Sequence, residues 1–587
     1  MNRPRSTTLA TPLAPPSSGT LTTGVPKRPS PPRPRGLTLW LLLAFVLSAC
    51  GGQKEVPELE PSARPRLVLV TETGVTPLAG RTVSERVTVR LQGAAAARGV
   101  AFFLSGPEGQ RAPLHVAKRA PFDAAIDPSA LRPGRYTLTA TLTPSEGRRV
   151  QASATFRVQR AQRAAQTYYL DCHAGDDRHA GTTPERAWRT LSRAHRAELR
   201  AGDALLLKRG CAWRGPLEVR WHGTAERPVR VGAYGVGADP LIHDGAWVNV
   251  DVTGSHVVVE HVEATMDTTA MPRDPTCDDQ PYGWRVGFHL APGAEHVTLR
   301  HVKASGHTAG VHVAKGARYN RVVHSAFTHN TVMSQLSRAH PDDDSGAWGV
   351  LLNGDHNVVA YNRFGDNVGC SHDYGEDGAA VEVYGAVGNA VHHNLSVDDL
   401  AFSELGGERG SRTRDTLYAY NLVVSRRQGA QFLVLRGAQS AWGPTANTEV
   451  YHNTVYLTGA RSEGLVCYGG CSEGVLAAHN NVFWVEHKAI YADGPFSESH
   501  NLFWRSGGDP WLDLTGTRLH ATSKIARPRF VDPDAIDFRP RPDSPTVDAG
   551  APLARSFGAD LGGVPVPQRG AADIGAYEWD GPLRASF

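Results

Sequence analysis

Two glutamates, Glu382 in AVEVY and Glu404 in SELG, are the residues of this chain whose types and spacing best suit chemistry. They fall in strand-like segments that align as GVHV at Gly310, GVLLN at Gly349, AVEVY at Ala380, SELG at Ser403, FLVLRG at Phe432 and LVCY at Leu465. Alternation turns Val, Leu and Ser inward and directs His312, Asn353, Glu382, Glu404 and Arg436 outward. Stacked on neighbouring strands, the two glutamates are expected about 4.8 Å apart at the backbone. Carboxylates that close repel, one pKa rises, and the pair holds one proton donor and one anion. The spacing is near the roughly 5–5.5 Å at which one carboxyl protonates a glycosidic oxygen while the other attacks the anomeric carbon. Catalytic roles are therefore expected of Glu382, Glu404 and Arg436, and substrate contacts of His312, Asn353, Tyr384 and His372.

The same residue types admit other chemistry. Asp373, Glu376 and Asp377 in HDYGEDG could hold Ca²⁺, as could Asp342, Asp343 and Asp344 in HPDDDSG, and a cation there could acidify a uronate C–H for β-elimination. Lys303, Lys315, Arg409 and Arg436 are the candidate bases for that reaction. The plain alternative is that both glutamates are solvated residues on a strand face. Trp348, Tyr374, Tyr384, Phe402 and Trp442 are candidate sugar-stacking rings. Apart from Ca²⁺, no cofactor is expected.

The elements that must position these groups follow from a degenerate repeat. AYNRF, VHHNLS, AYNLVV, YHNTVYL, HNNVFW and HNLFW place Asn362, Asn394, Asn421, Asn453, Asn481 and Asn501 two to three dozen residues apart, the interval of a solenoid coil. Each coil carries short alternating stretches bounded by Gly, Asn and Asp, without helical periodicity, which predicts a parallel β-helix. Asn at the turn could adopt the left-handed conformation and relay amide hydrogen bonds between coils. His261, His301, His324, His393 and His452 recur beside that turn and read as a structural stack.

The chain has 587 residues and a formal charge of +4, but its first 36 residues hold six Lys or Arg and no acid, so the remainder is near −2. That excludes a basic footprint for nucleic acid. The apolar run Leu37 to Leu47 is too short to span a bilayer and suits a signal-peptide core. Its ending, LSAC followed by Gly51, resembles a bacterial lipobox, which implies lipidation at Cys50, a membrane anchor, and an outer-membrane or cell-surface protein. The six other cysteines suit an oxidising compartment, and of the fifteen pairings Cys172 with Cys211, Cys277 with Cys370, and Cys467 with Cys471 are favoured.

Residues 1–49 therefore read as signal peptide with a basic, Pro-rich leader, and 50–65 as lipidated Cys and linker. Residues 66–160 are short alternating strands that suit a small β-sandwich, and PFDAAIDPSALRPGRYTLTA resembles bacterial immunoglobulin-like modules. From Tyr168, YYLDCHAGDDRHAGTTPERAWRTLSRA and the tail GAADIGAYEW resemble the opening and closing segments of exported bacterial right-handed parallel β-helix proteins, many of them polysaccharide lyases or glycoside hydrolases. The resemblance implies an all-β chain with a single-stranded solenoid at 167–505 and its C-terminal end and cap at 506–587. Thr183-Pro184-Glu185 should begin an N-terminal capping helix that turns Trp188, Leu191, His195 and Leu199 to one face. The expected function is binding and cleavage of a polysaccharide by a monomer; the rival is a non-catalytic glycan-binding adhesin.

Overall fold

The computed structural model describes residues 65–581, apart from 72–73, 95–96, 145–148, 160–165, 340–341, 409–412 and 556. The leader, Cys50, the linker and Arg409 lie outside the described residues.

The alternating segments fold into a parallel β-helix. Three parallel sheets run along it, of 12 strands from Thr167–Leu170 to Ser497–Ser499, 12 strands from Ala212–Arg214 to Lys524–Ile525, and 11 strands from Leu217–Val219 to Trp511–Leu514. Within the C-terminal end expected at 506–587, Trp511–Leu514 and Lys524–Ile525 still pair in parallel with the coil before them. Inward residues stack into one continuous core of Val, Leu and Phe, including the ring column Phe402, Phe432, Phe483 and Phe503 with centroids 5.3–6.0 Å apart.

The six repeat asparagines are buried and form a ladder. In each step the Asn side-chain oxygen accepts from the backbone N–H and side-chain amide of the Asn one coil earlier, as Asn421 does from Asn394 at 3.0 Å in both bonds. The left-handed position is not the Asn but the residue before it: Tyr361, His393, Tyr420, His452, Asn480 and His500 have φ between 53° and 58°. That is the correction to the turn expected from sequence. The strained corner is offset by ring stacking, in the unbroken series His261, His301, His324, Tyr361, His393, Tyr420, His452 with centroids 4.8–5.6 Å apart. Two shorter ladders, Asn320–Asn357–Asn389 and Asn330–Asn367–Asp399, were not expected.

The N-terminal helix caps the first coils but is a single turn, Leu191–His195, begun by Thr190, whose hydroxyl accepts from Arg193 N. Thr183 begins only the short 3₁₀ turn Pro184–Arg186. Trp188 cannot be helical, because its N–H bonds Tyr169 and its carbonyl accepts from Asp171, which joins it to the first coil as a bridge. Leu191, Ala194, Ala197 and Leu199 still close the core at this end. The disulfides join Cys172 to Cys211, Cys277 to Cys370 and Cys467 to Cys471.

Residues 66–158 form two further sheets, Gly74–Pro77, Arg66–Thr71, Val87–Gln92 and Asp123–Ile126 in one, Thr82–Val83, Val150–Val158, Gly134–Pro144, Ala97–Ser105 and Arg111–Ala117 in the other. Val89, Phe102, Ile126, Leu138 and Phe156 are shared between them as one core.

Burial leaves several titratable groups neutral, and this sets how stability responds to pH. Asp399 and Asp560 are pushed up to about 7 and Glu578 to about 8 by burial, so the folded chain holds protons that the unfolded chain releases above about pH 4. Rising pH destabilises through that window. Buried His307, His324, His393 and His452, held down at about 4, act in the opposite sense, but only up to their unfolded value of 6.5. Above pH 6.5 the carboxyls act alone. Calorimetry is expected to give a lower Tm at pH 8 than at pH 6.5.

Candidate active site

The site lies on the outer face of the 11-stranded sheet. Strand Ala379–Tyr384 pairs in parallel with Ala401–Gly406 so that Glu382 stands opposite Glu404, both with side chains at the floor of one groove of about 1910 Å³. Asp251, His289, His312 and Leu351 lead up to Glu382 in the same row, one per coil. Val434, Val466, Tyr491 and Asp513 follow Glu404. This row forms because constant register keeps each outward residue on the residue one coil earlier as far as Tyr491, with a register shift only beside the last step, between Lys488 and Ile490.

Arg436 holds Glu404. Its Nη2 donates to Glu404 Oε2 at 2.7 Å, while Nη1 donates to the Leu405 carbonyl at 3.0 Å and Nε to the Tyr468 hydroxyl at 2.9 Å. This bidentate-capable, charge-assisted partner orients the Glu404 side chain. The same partners, chiefly the Glu404 charge, outweigh burial and raise the already high pKa of the guanidinium further. Among the described residues Glu382 has no such partner. Burial, and then the neighbouring Glu404 charge, push its carboxyl well above the usual range.

A third carboxyl completes the cluster. Asp377 ends the antiparallel hairpin Gly369–Ser371 and Gly375–Asp377, and burial followed by the Glu404 charge raises it to about 8. The hairpin is tied through Cys370 to Cys277 on a loop 93 residues earlier. Sequence reasoning gave Asp377 a metal-binding role instead, because distance along the chain does not reveal which way a cross-linked hairpin folds.

The expected substrate-contact residues divide. Asn353 Nδ2 donates to the Tyr384 carbonyl at 2.9 Å, which turns Asn353 Oδ1 toward His312 Nε2 at 2.8 Å. His312 is therefore the neutral Nε2–H tautomer, consistent with burial lowering its pKa to about 4. Asn353, His312 and Tyr384 all line the groove. His372 does not: its Nε2 is bonded to Asp274 at 2.8 Å and its Nδ1 lies 3.7 Å from Cys277 Sγ, so it serves the loop cross-link.

The expected cation ligands also separate. Asp373 gathers with Asp343 and Asp344, with side-chain oxygens within 4.8 Å of one another, while Glu376 lies 3.7 Å from Arg427 and Asp377 joins the glutamates. Asp344 and Asp373 accept backbone N–H groups from Ser337, His372, Asp343 and Asp344, while Asp343 Oδ1 is buried without a partner among the described residues. Trp348, Tyr374, Tyr384 and Trp442 line the groove as expected of stacking rings; Phe402 instead points inward and stacks on Phe432. Trp284, whose ring meets His312 edge-on at 5.1 Å, and Tyr468, Gln431 and Glu463 were missed. The last two could have been read from the strand rows, since Gln431 pairs with both Ala401 and Glu463.

No protein-family model matches the chain, and no curated protein matches it. Among solved structures it is similar to a family 136 lacto-N-biosidase from Eubacterium ramulus, at 16% identity and a TM-score of 0.42 over 61% of this chain and 67% of that one. It is also similar to an alginate lyase from Paenibacillus, at 14% and 0.36 over 62% and 100%, and to a family 28 exopolygalacturonase from Yersinia enterocolitica, at 10% and 0.36 over 79% and 100%. Likenesses of this size carry no activity across.

Proposed function

We propose that the protein is a glycoside hydrolase that cleaves a polysaccharide held along the outer sheet. The observation that supports this most is the register Glu382 opposite Glu404, with one carboxyl desolvated and the other fixed by Arg436. Glu382 gives its proton to the leaving glycosidic oxygen as that C–O bond breaks, and the Glu404 carboxylate forms the bond to the anomeric carbon. Glu382, now anionic, takes a proton from water; the water oxygen replaces Glu404, and the configuration is retained. Asn353 and Tyr384 contact the sugar beside the cleaved bond, and Ca²⁺ has no step in this scheme. In the same reading the protein is exported, works as a monomer and is anchored to the outer membrane through Cys50.

β-Elimination fits less well. It requires a base and a means of neutralising a uronate, yet the groove is lined by nine Asp or Glu and four Lys or Arg. Arg436 is bound to Glu404, and its raised pKa makes it a poor base. Lys303 pairs with Asp239 and Glu263 and is absent from the groove lining, and Lys315 is two coils from Glu382.

A panel of neutral and uronate polysaccharides, with and without Ca²⁺, tests the reading. New reducing ends without unsaturated products are expected. Ultraviolet-absorbing unsaturated products would mark a lyase, and binding without cleavage an adhesin. The pH profile of kcat/KM is expected to fall at high pH as Glu382 loses its proton. Asp377→Asn removes a neighbour that raises Glu382 once it ionises near pH 8, so the alkaline limb is expected at lower pH than in the wild type.

A further inference from the structure

Three tryptophans are more than a third exposed among the described residues: Trp247 at 39%, Trp442 at 38% and Trp511 at 44%. All three belong to the face that carries the carboxyl pair. Trp442 lines the groove, while Trp511 and Trp247 lie just beyond its two ends. Trp511 opens the last strand of the site sheet, four coils after Glu404; Trp247 precedes Val248–Val252, four coils before Glu382. At about 4.8 Å per coil, each is roughly 19 Å from the centre along the sheet.

Neither ring is loosely placed. The His487 ring meets Trp511 edge-on at 4.8 Å, and the Lys488 ammonium lies 4.8 Å from its centroid and 4.9 Å from that of Tyr491. At the other end the His289 ring meets Trp247 at 5.0 Å and is itself bonded to Asp251 at 2.8 Å. A large apolar ring fixed in place with a face toward water loses little entropy on receiving an apolar partner. The C–H face of a pyranose is such a partner.

We propose that Trp511 and Trp247 are distal stacking subsites for one long, linear, neutral polysaccharide that lies across all the intervening coils, so that cleavage at Glu382 and Glu404 falls within a chain and not at its end. The choice of a neutral polymer rests on the excess of acids in the connecting groove, and cleavage within the chain rests on the hydrolase reading; stacking at the two tryptophans does not.

Affinity electrophoresis of the full chain tests this. The protein carrying Glu382→Gln, so that bound polymer is not consumed, is run through gels containing mixed-linkage β-glucan, arabinoxylan, galactomannan or galactan. In the gel that retards it, adding Trp511→Ala or Trp247→Ala is expected to weaken retention about five- to tenfold, with Tm unchanged. A disaccharide from the same polymer, too short to reach either ring, should bind all variants alike. Equal retention of parent and tryptophan variants, or no retention of the parent by any of the four polymers, would overturn the proposal. Equal retention together with cleavage by the unsubstituted enzyme would overturn the subsites alone. Tryptophan-dependent retention in a protein that cleaves nothing would support the subsites and remove the hydrolase reading.

Discussion

Glu404→Gln is expected to lower kcat by about a thousandfold or more while leaving the fold intact. The amide keeps the shape of the side chain but removes the anion that attacks the anomeric carbon. Arg436 would then face a neutral partner across the 2.7 Å contact, and Glu382 would lose the charge that most strongly raises it after burial. Both changes act against catalysis, because the donor becomes more acidic as the nucleophile disappears. Glu382→Gln is expected to fail differently. It removes the proton donor but not the nucleophile, so aryl glycosides with acidic leaving groups should be cleaved far better than the natural linkage. Steady-state kinetics on both substrate types, with circular dichroism to verify folding, separates the two roles. Equal activity of wild type and Glu404→Gln would contradict the assignment.

The largest loss of stability is expected from the Asn ladder. Asn421 is fully buried; its oxygen accepts from the backbone and side chain of Asn394, and its amide donates to the Val391 carbonyl and to Asn453. Asn421→Ala leaves the Asn394 backbone N–H and one hydrogen of its side-chain amide buried without a partner, at about 1–3 kcal/mol each, so a loss of about 2–6 kcal/mol is expected. Asn447→Ala is the comparison. Its amide makes one exposed bond, to Asp415 at 2.9 Å, but its φ of 51° is left-handed and disfavours Ala, so a smaller loss of about 1 kcal/mol is expected. Urea unfolding of the two variants checks the contrast. Similar midpoints would mean that the ladder adds little and that the apolar core alone fixes coil spacing.

Which parts of this arrangement could be read from sequence follows from how local their causes are. The outward positions of Glu382, Glu404 and Arg436 were legible because strand alternation is a two-residue rule, and the inward Val381, Val383, Leu405 and Leu435 mark the opposite face. The Asn repeat was legible as a ladder, but the left-handed residue was placed one position late. Asn tolerates that conformation intrinsically, whereas His and Tyr adopt it here because rings one coil apart stack, a cause that lies outside the local sequence. The capping helix was overextended because Trp188, Leu191, His195 and Leu199 have helical spacing, while the bridge from Trp188 to Leu170 comes from tertiary pairing. Asp377 and His372 were the hardest to place. Their hairpin is held by a disulfide reaching back 93 residues, so neighbours five apart in sequence serve different ends, one beside Glu404 and the other on Asp274.

Digestion of the cleaved polysaccharide in water enriched in heavy oxygen, followed by mass spectrometry of the products, separates hydrolysis at Glu382 and Glu404 from elimination. One heavy oxygen is expected at each new reducing end, with that label lost in the Glu382→Gln and Glu404→Gln variants. Products short of one water and carrying no label would show elimination, and would contradict the assignment of Glu382 and Glu404 as proton donor and nucleophile.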